Sequence, residues 1–184
     1  AAGDYQDAAQ KFADVATTLG NAALEAGDNQ TAIGWLEQLP ESEETQTTLN
    51  RAVYAYAEQL AADGQKEAAA TEFYSLGAYQ DAADRGNALE YELAVSERAG
   101  DVHSALDRFE ALGDYGDAAA QADACRYDIA KEAMEAGELQ DALDAFEALG
   151  DYGDAAEQAT RCRYLMARQA MDAGEYDEAI ALYE

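Results

Sequence analysis

Five glycines recur at a nearly constant interval along these 184 residues: Gly27, Gly64, Gly100, Gly137 and Gly174, at spacings of 37, 36, 37 and 37. A fixed period of this size points to stacked copies of one supersecondary unit rather than a single globular core. Each glycine has the same sequel. Five residues on stands Ala32, Ala69, Ala105, Ala142 or Ala179, and nine on stands Leu36, Phe73, Phe109, Phe146 or Tyr183. A second marker starts four of the five copies: LGDYGDAA from Leu112 and Leu149, with relatives LGAYQDAA from Leu76 and AGDYQDAA from Ala2. Counted from Gly113 and Gly150, 20 of 35 aligned positions are identical, so the last two copies are near duplicates.

The markers divide the chain into repeats at about 3–39, 40–76, 77–112, 113–149 and 150–184. They form one repeat domain over 1–184, read as a fragment of a longer chain with its last copy incomplete. Copy two opens on PESEETQT, with Pro40 where others have glycine. Copy three is one residue short. Tyr91 stands nine before its glycine, whereas Tyr127 and Tyr164 stand ten before theirs, which places the deletion between Ala94 and Gly100.

The pattern within a copy is helical. Leu139, Ala142, Leu143, Phe146 and Leu149 fall on one stripe, as a short helix packing one face inward requires. Before Gly137, a longer helix is expected over 117–136, with Ala122, Cys125, Ile129, Ala130 and Ala133 inward. Abundant alanine and a single proline suit helices, and the scarcity of β-branched residues argues against sheet. The recurring glycine should end the long helix in a left-handed turn. Asp114 reads as N-cap of the next long helix and Asp117 as a first-turn acid, with Asp4/Asp7 and Asp151/Asp154 repeating the arrangement.

The stretch from Tyr164 to Tyr183 resembles a tetratricopeptide (TPR) repeat, with Ala167, Gly174, Tyr176, Ala179, Ile180 and Tyr183 at that family's signature spacing. Leu19-Gly20 matches the family's Leu-Gly pair in the first copy, and the resemblance extends over essentially the whole chain. The period of 36–37 departs from the family's about 34 residues, and an inter-repeat proline survives only at Pro40. The GDYxDAA junction also resembles a variant repeated in many bacterial proteins, often surface or membrane-anchored ones. The resemblance implies an all-α, right-handed α-α superhelix of about five helix-turn-helix repeats. It also implies a concave groove lined by the first helix of each repeat.

On that basis the candidate peptide-binding residues are Tyr54, Tyr91, Tyr127 and Tyr164, with Lys131 and Arg168 one turn on and Met134 and Met171 another turn on. Nine of the 11 basic residues fall in or beside first helices, which would give that face its own potential. The competing reading is that the tyrosines pack between repeats and the cations pair with neighbouring carboxylates. Accessible tyrosine hydroxyls would favour the groove. Burial or screening would favour packing.

Other chemistries find little footing. A net charge of −28 repels nucleic acid phosphates and anionic lipid heads. No apolar run is long enough to insert in a membrane. Cys125 and Cys162 occupy equivalent places and read as small buried residues. The Asp pairs lack calcium-loop spacing, and His103 has no nucleophile beside it, so no metal, cofactor or catalytic site is expected. The family's Lys/Asn/Arg carboxylate clamp is not carried over, because the tyrosines occupy one of its positions. The reading is a non-catalytic protein–protein interaction scaffold with a protein or peptide partner, and alternatively a spacer or stalk of a larger bacterial surface protein. End-to-end self-association through the last repeat is a further expected contact. The compartment stays open between cytoplasm and bacterial cell surface.

Overall fold

The computed structural model describes residues 2–183, with side chains described for 7–182. Ten α-helices and no strand occur among the described residues: α1 Ala2–Glu25, α2 Asn29–Leu36, α3 Glu43–Ala62, α4 Lys66–Ser75, α5 Ala82–Glu97, α6 Val102–Leu112, α7 Ala118–Ala136, α8 Leu139–Leu149, α9 Ala155–Ala173 and α10 Tyr176–Tyr183. The fold is all-α, a succession of long-short helix pairs. The chain forms two compact units, 1–90 and 91–184, whose division falls within α5.

In the first unit α2 packs on both α1 and α3, and α3 on α4. In the second, α7 lies between α6 and α8, and α9 between α8 and α10. A short helix covered on one side by its own partner and on the other by the next long helix needs a bulky residue towards its C-terminal end, between the two. Leu36, Phe73, Phe109 and Phe146, nine after their glycines, fill that place and are at most 2% exposed. The long helices meet the short ones through small residues. Ala52, Ala122, Cys125, Ala159 and Cys162 are buried, and both cysteines are free. Burial pushes both thiols up from their ordinary range, so they act as packing groups.

The recurring glycine ends four of the five long helices as expected. Gly137 has φ 85°; its N–H bonds to Met134 O, and the Glu138 N–H reaches Ala133 O, a Schellman ending. Gly27, Gly64 and Gly174 repeat it. Gly100 does not. Its φ is not positive, and the Gly100 and Asp101 N–H groups both bond to Glu97 O. The residue missing from copy three shortens the turn by the step that would need the left-handed residue.

The expected capping by junction aspartates needs correction. α7 begins at Ala118, so Asp114 lies outside the helix and Asp117 is the N-cap residue, yet its side chain makes no cap bond. Asp154 stands likewise before α9. True side-chain caps are Asp28 to the Thr31 N–H, Ser42 to the Thr45 N–H and Asp101 to the Ser104 N–H. Asp4 and Asp7 lie within the unbroken α1, so the first GDYQDAA forms no junction turn.

Candidate functional site

The junction aspartates serve the tyrosines instead. Tyr54 of α3 donates its hydroxyl to Asp81, Tyr91 of α5 to Asp117, and Tyr127 of α7 to Asp154. In each case a tyrosine in one copy reaches the GDYxDAA junction of the next. The second carboxylate oxygen is taken by Arg85 at Asp81, Gln121 at Asp117 and Gln158 at Asp154. The tyrosine rings stand edge-on to Phe73, Phe109 and Phe146 of their own copies, at centroid distances of 5.4, 5.6 and 5.6 Å. On the other side they meet the junction tyrosines Tyr79, Tyr115 and Tyr152.

This contact explains the junction letter by letter. The tyrosine packs on the preceding copy's tyrosine, the aspartate accepts its hydroxyl, and the following alanine (Ala82, Ala118 or Ala155) is fully buried. The residue between tyrosine and aspartate adopts a left-handed backbone: Gly116 at φ 57°, Gly153 at 54°, and Gln80 at 49°, which is the one non-glycine with positive φ among the described residues.

The hydrogen bonds and burial set the ionisation of these groups. Burial and the Asp81 bond push Tyr54 up to about 12, and the Asp154 bond with burial does the same to Tyr127. Tyr91 is raised by its Asp117 bond. The three aspartates are held below the usual carboxylate range, each chiefly by its tyrosine hydroxyl.

The eight candidate groove residues therefore part company. Tyr54, Tyr91 and Tyr127 are half-buried with their hydroxyls engaged. Met134 is half-buried against the α8–α9 core, and Lys131 is exposed with its ammonium 6.0 Å from the Tyr127 ring centroid. Tyr164, Arg168 and Met171 form an exposed stripe on α9, with Tyr164 53% and Met171 47% accessible. Most of the basic residues gathered on first helices are paired. Arg85 meets Glu58 and Asp81, Arg98 meets Asp128, and Arg126 meets Glu110 and Asp123. Arg51, Lys131, Arg161 and Arg168 have no ion pair among the described residues.

A second repeated feature escaped the sequence reading: clefts between a short helix and the next long one. Between α6 and α7 a cleft of about 520 Å³ is crossed by Arg126, whose guanidinium donates to Glu110 at 2.7 Å and Asp123 at 2.6 Å. Between α8 and α9 a cleft of about 350 Å³ carries the matching pair Arg163 and Glu147. All eight lining residues of one have counterparts 37 positions on in the other. The signal was present in sequence as Glu ten after the glycine and Arg just before the first-helix tyrosine.

Among the described residues no three His, Cys, Asp or Glu side chains converge as metal ligands, and no helix is long and apolar enough to cross a membrane. No family model matches the chain, and no curated protein matches it. Two crystal structures match, both of the nearly identical TPR-like repeats of a Podosopora anserina protein described as a kinesin light chain, one of them a variant with a single substitution. Identities are 18% for the variant and 17% for the other, and each match covers 92% of this chain and 90% of that one. The TM-score is 0.23 for both, so the all-α repeat architecture rests on the helices described above.

Proposed function

We propose that the chain is a non-catalytic protein-interaction scaffold that presents a peptide-binding stripe on α7 and α9. The observation that carries this reading is the recurrence of an exposed cation, Lys131 on α7 and Arg168 on α9, one turn after a first-helix tyrosine and one turn before Met134 or Met171 on the same helix face. An aromatic ring, a guanidinium outside the ion pairs described above and a flexible thioether supply anchoring, orientation and adaptability to an extended or helical peptide. Lys131 and the partly covered Met134 would extend the stripe onto α7. Tyr54, Tyr91 and Tyr127 contribute by holding successive copies in register.

A second reading, a spacer or stalk of a larger protein, is favoured by those same three tyrosines. Their hydroxyls are spent on the next copy, so their repetition serves cohesion without any ligand.

Peptide-display selection on the immobilised protein separates the two. The scaffold reading expects enriched peptides whose binding weakens at least tenfold in Tyr164→Ala and Arg168→Glu and is unchanged in Lys11→Ala. Selection that enriches nothing, or peptides indifferent to both α9 changes, supports the spacer and overturns the scaffold.

A further inference from the structure

The four junctions between a short helix and the next long helix solve one packing problem in three ways. Ten residues after each glycine stand Glu37, Tyr74, Glu110 and Glu147, and just before each first-helix tyrosine stand Val53, Glu90, Arg126 and Arg163. The last two junctions pair glutamate with arginine. The α4–α5 junction is plugged: the Tyr74 ring lies over Gly86, and its hydroxyl donates to Asn87 Oδ1 at 2.9 Å. The α2–α3 junction has neither device. Glu37 is present, but its partner position is the short, uncharged Val53, and no described cation pairs with Glu37. The cleft there, about 590 Å³, is lined by α2, α3 and the end of α4.

We infer that this α2–α3 cleft binds an arginine side chain presented by a basic segment of a protein partner. The protein carries its own template for the ligand. In the equivalent place, the Arg126 guanidinium donates to Glu110 at 2.7 Å. At α2–α3 the same carboxylate, Glu37, faces a cleft whose apolar wall is Ile33, Leu49 and Val53. A guanidinium forks onto a carboxylate while its three-carbon stem covers apolar surface, a combination that the compact lysine ammonium matches less well. Asn50 replaces Asp123 and its Oδ1 accepts from Gln46, which leaves Glu37 and Glu72 as the lining charges. A chain at −28 attracts a basic segment and repels a second copy of itself, so the occupant is a partner rather than another molecule of this chain. The site is separate from the α9 stripe and does not depend on it.

The test is an amide-resolved NMR titration of the whole chain with acetyl-Ala-Arg-Ala-amide, against the uncharged isostere acetyl-Ala-citrulline-Ala-amide. Saturable shifts confined to residues 30–37, 46–56 and 72–76 are expected with the arginine peptide alone. Glu37→Gln should weaken binding at least fivefold, and Val53→Arg should abolish it by supplying the missing side chain internally. Should Val53→Arg fail to fold, Arg163→Val serves as the converse: it should create a second binding locus around residues 147–163. Equal shifts with citrulline, non-saturating shifts spread over all acidic helices, or a folded Val53→Arg that binds like the parent would overturn the assignment. So would cleft shifts that grow with protein concentration alone, which would make a second copy the occupant.

Discussion

Gly86 gives the sharpest quantitative test of the packing. It is buried within α5, where a mid-helix glycine costs about 1 kcal/mol relative to alanine. Taken alone, that propensity predicts that Gly86→Ala stabilises. The structure predicts the opposite, because a Cβ built at Gly86 falls 2.8 Å from Cε1, 3.0 Å from Cδ1 and 3.1 Å from Cζ of Tyr74. The ring cannot shift without disturbing its 2.9 Å bond to Asn87. Overpacking of this kind costs about 1–3 kcal/mol, so the net effect should be a loss of up to about 2 kcal/mol. Replacing Tyr74 by Glu restores the residue found at Glu110 and removes the obstacle, so in that background Gly86→Ala should gain about 1 kcal/mol. The two backgrounds should differ by about 1–3 kcal/mol, a coupling well above the usual additivity error of about 0.3–0.5 kcal/mol. Equilibrium urea unfolding of the four proteins of the cycle, followed by circular dichroism, measures it. Equal gains from Gly86→Ala in both backgrounds would refute the claim that the ring dictates the glycine.

Spectrophotometric titration of the 12 tyrosines should show a late-ionising class, with Tyr54 and Tyr127 near 12. Their folded values lie above the unfolded value of about 10, so their contribution is complete below pH about 10 and is lost as pH rises towards 12. The matching aspartates are depressed, so theirs holds above pH about 4 and fades as pH falls below it. Tyr127→Phe should remove one late ionisation, and an unchanged alkaline profile would contradict the bond to Asp154. Gly137→Ala, at φ 85°, should cost about 1 kcal/mol, while Gly100→Ala should cost nothing measurable, as read by thermal melting. Equal losses would show that the copy-three deletion does not change the helix ending.

Much of the architecture was legible because a repeat multiplies weak signals. The glycine period, the bulky residue nine positions later and the small residues of the long helices each recur, so local rules about turns and amphipathic faces could be averaged over copies. That was enough to place Phe109 and Phe146 in the core and Gly137 in a left-handed turn. It failed where one residue type serves two purposes. Asp117 beside a helix start reads as a first-turn acid, and nothing local reveals that Tyr91, 26 positions earlier, claims its carboxylate. The candidate site divided for the same reason: each first-helix tyrosine reads as a groove anchor, yet Tyr54, Tyr91 and Tyr127 give their hydroxyls to aspartates of the next copy.

The sequence by itself determined the repeat, its helices and the inward face of each, because those follow from periodicity and backbone preference within about 36 residues. Only the tertiary structure decided which side chains meet across copies: tyrosine with aspartate, Tyr74 with Gly86, arginine with glutamate, and Glu37 with no described cation. Such contacts join residues far apart along the chain, 27 positions for Tyr127 and Asp154 and 16 for Arg126 and Glu110. That is beyond the reach of helix periodicity, and their geometry exists only once one helix pair has stacked on the next.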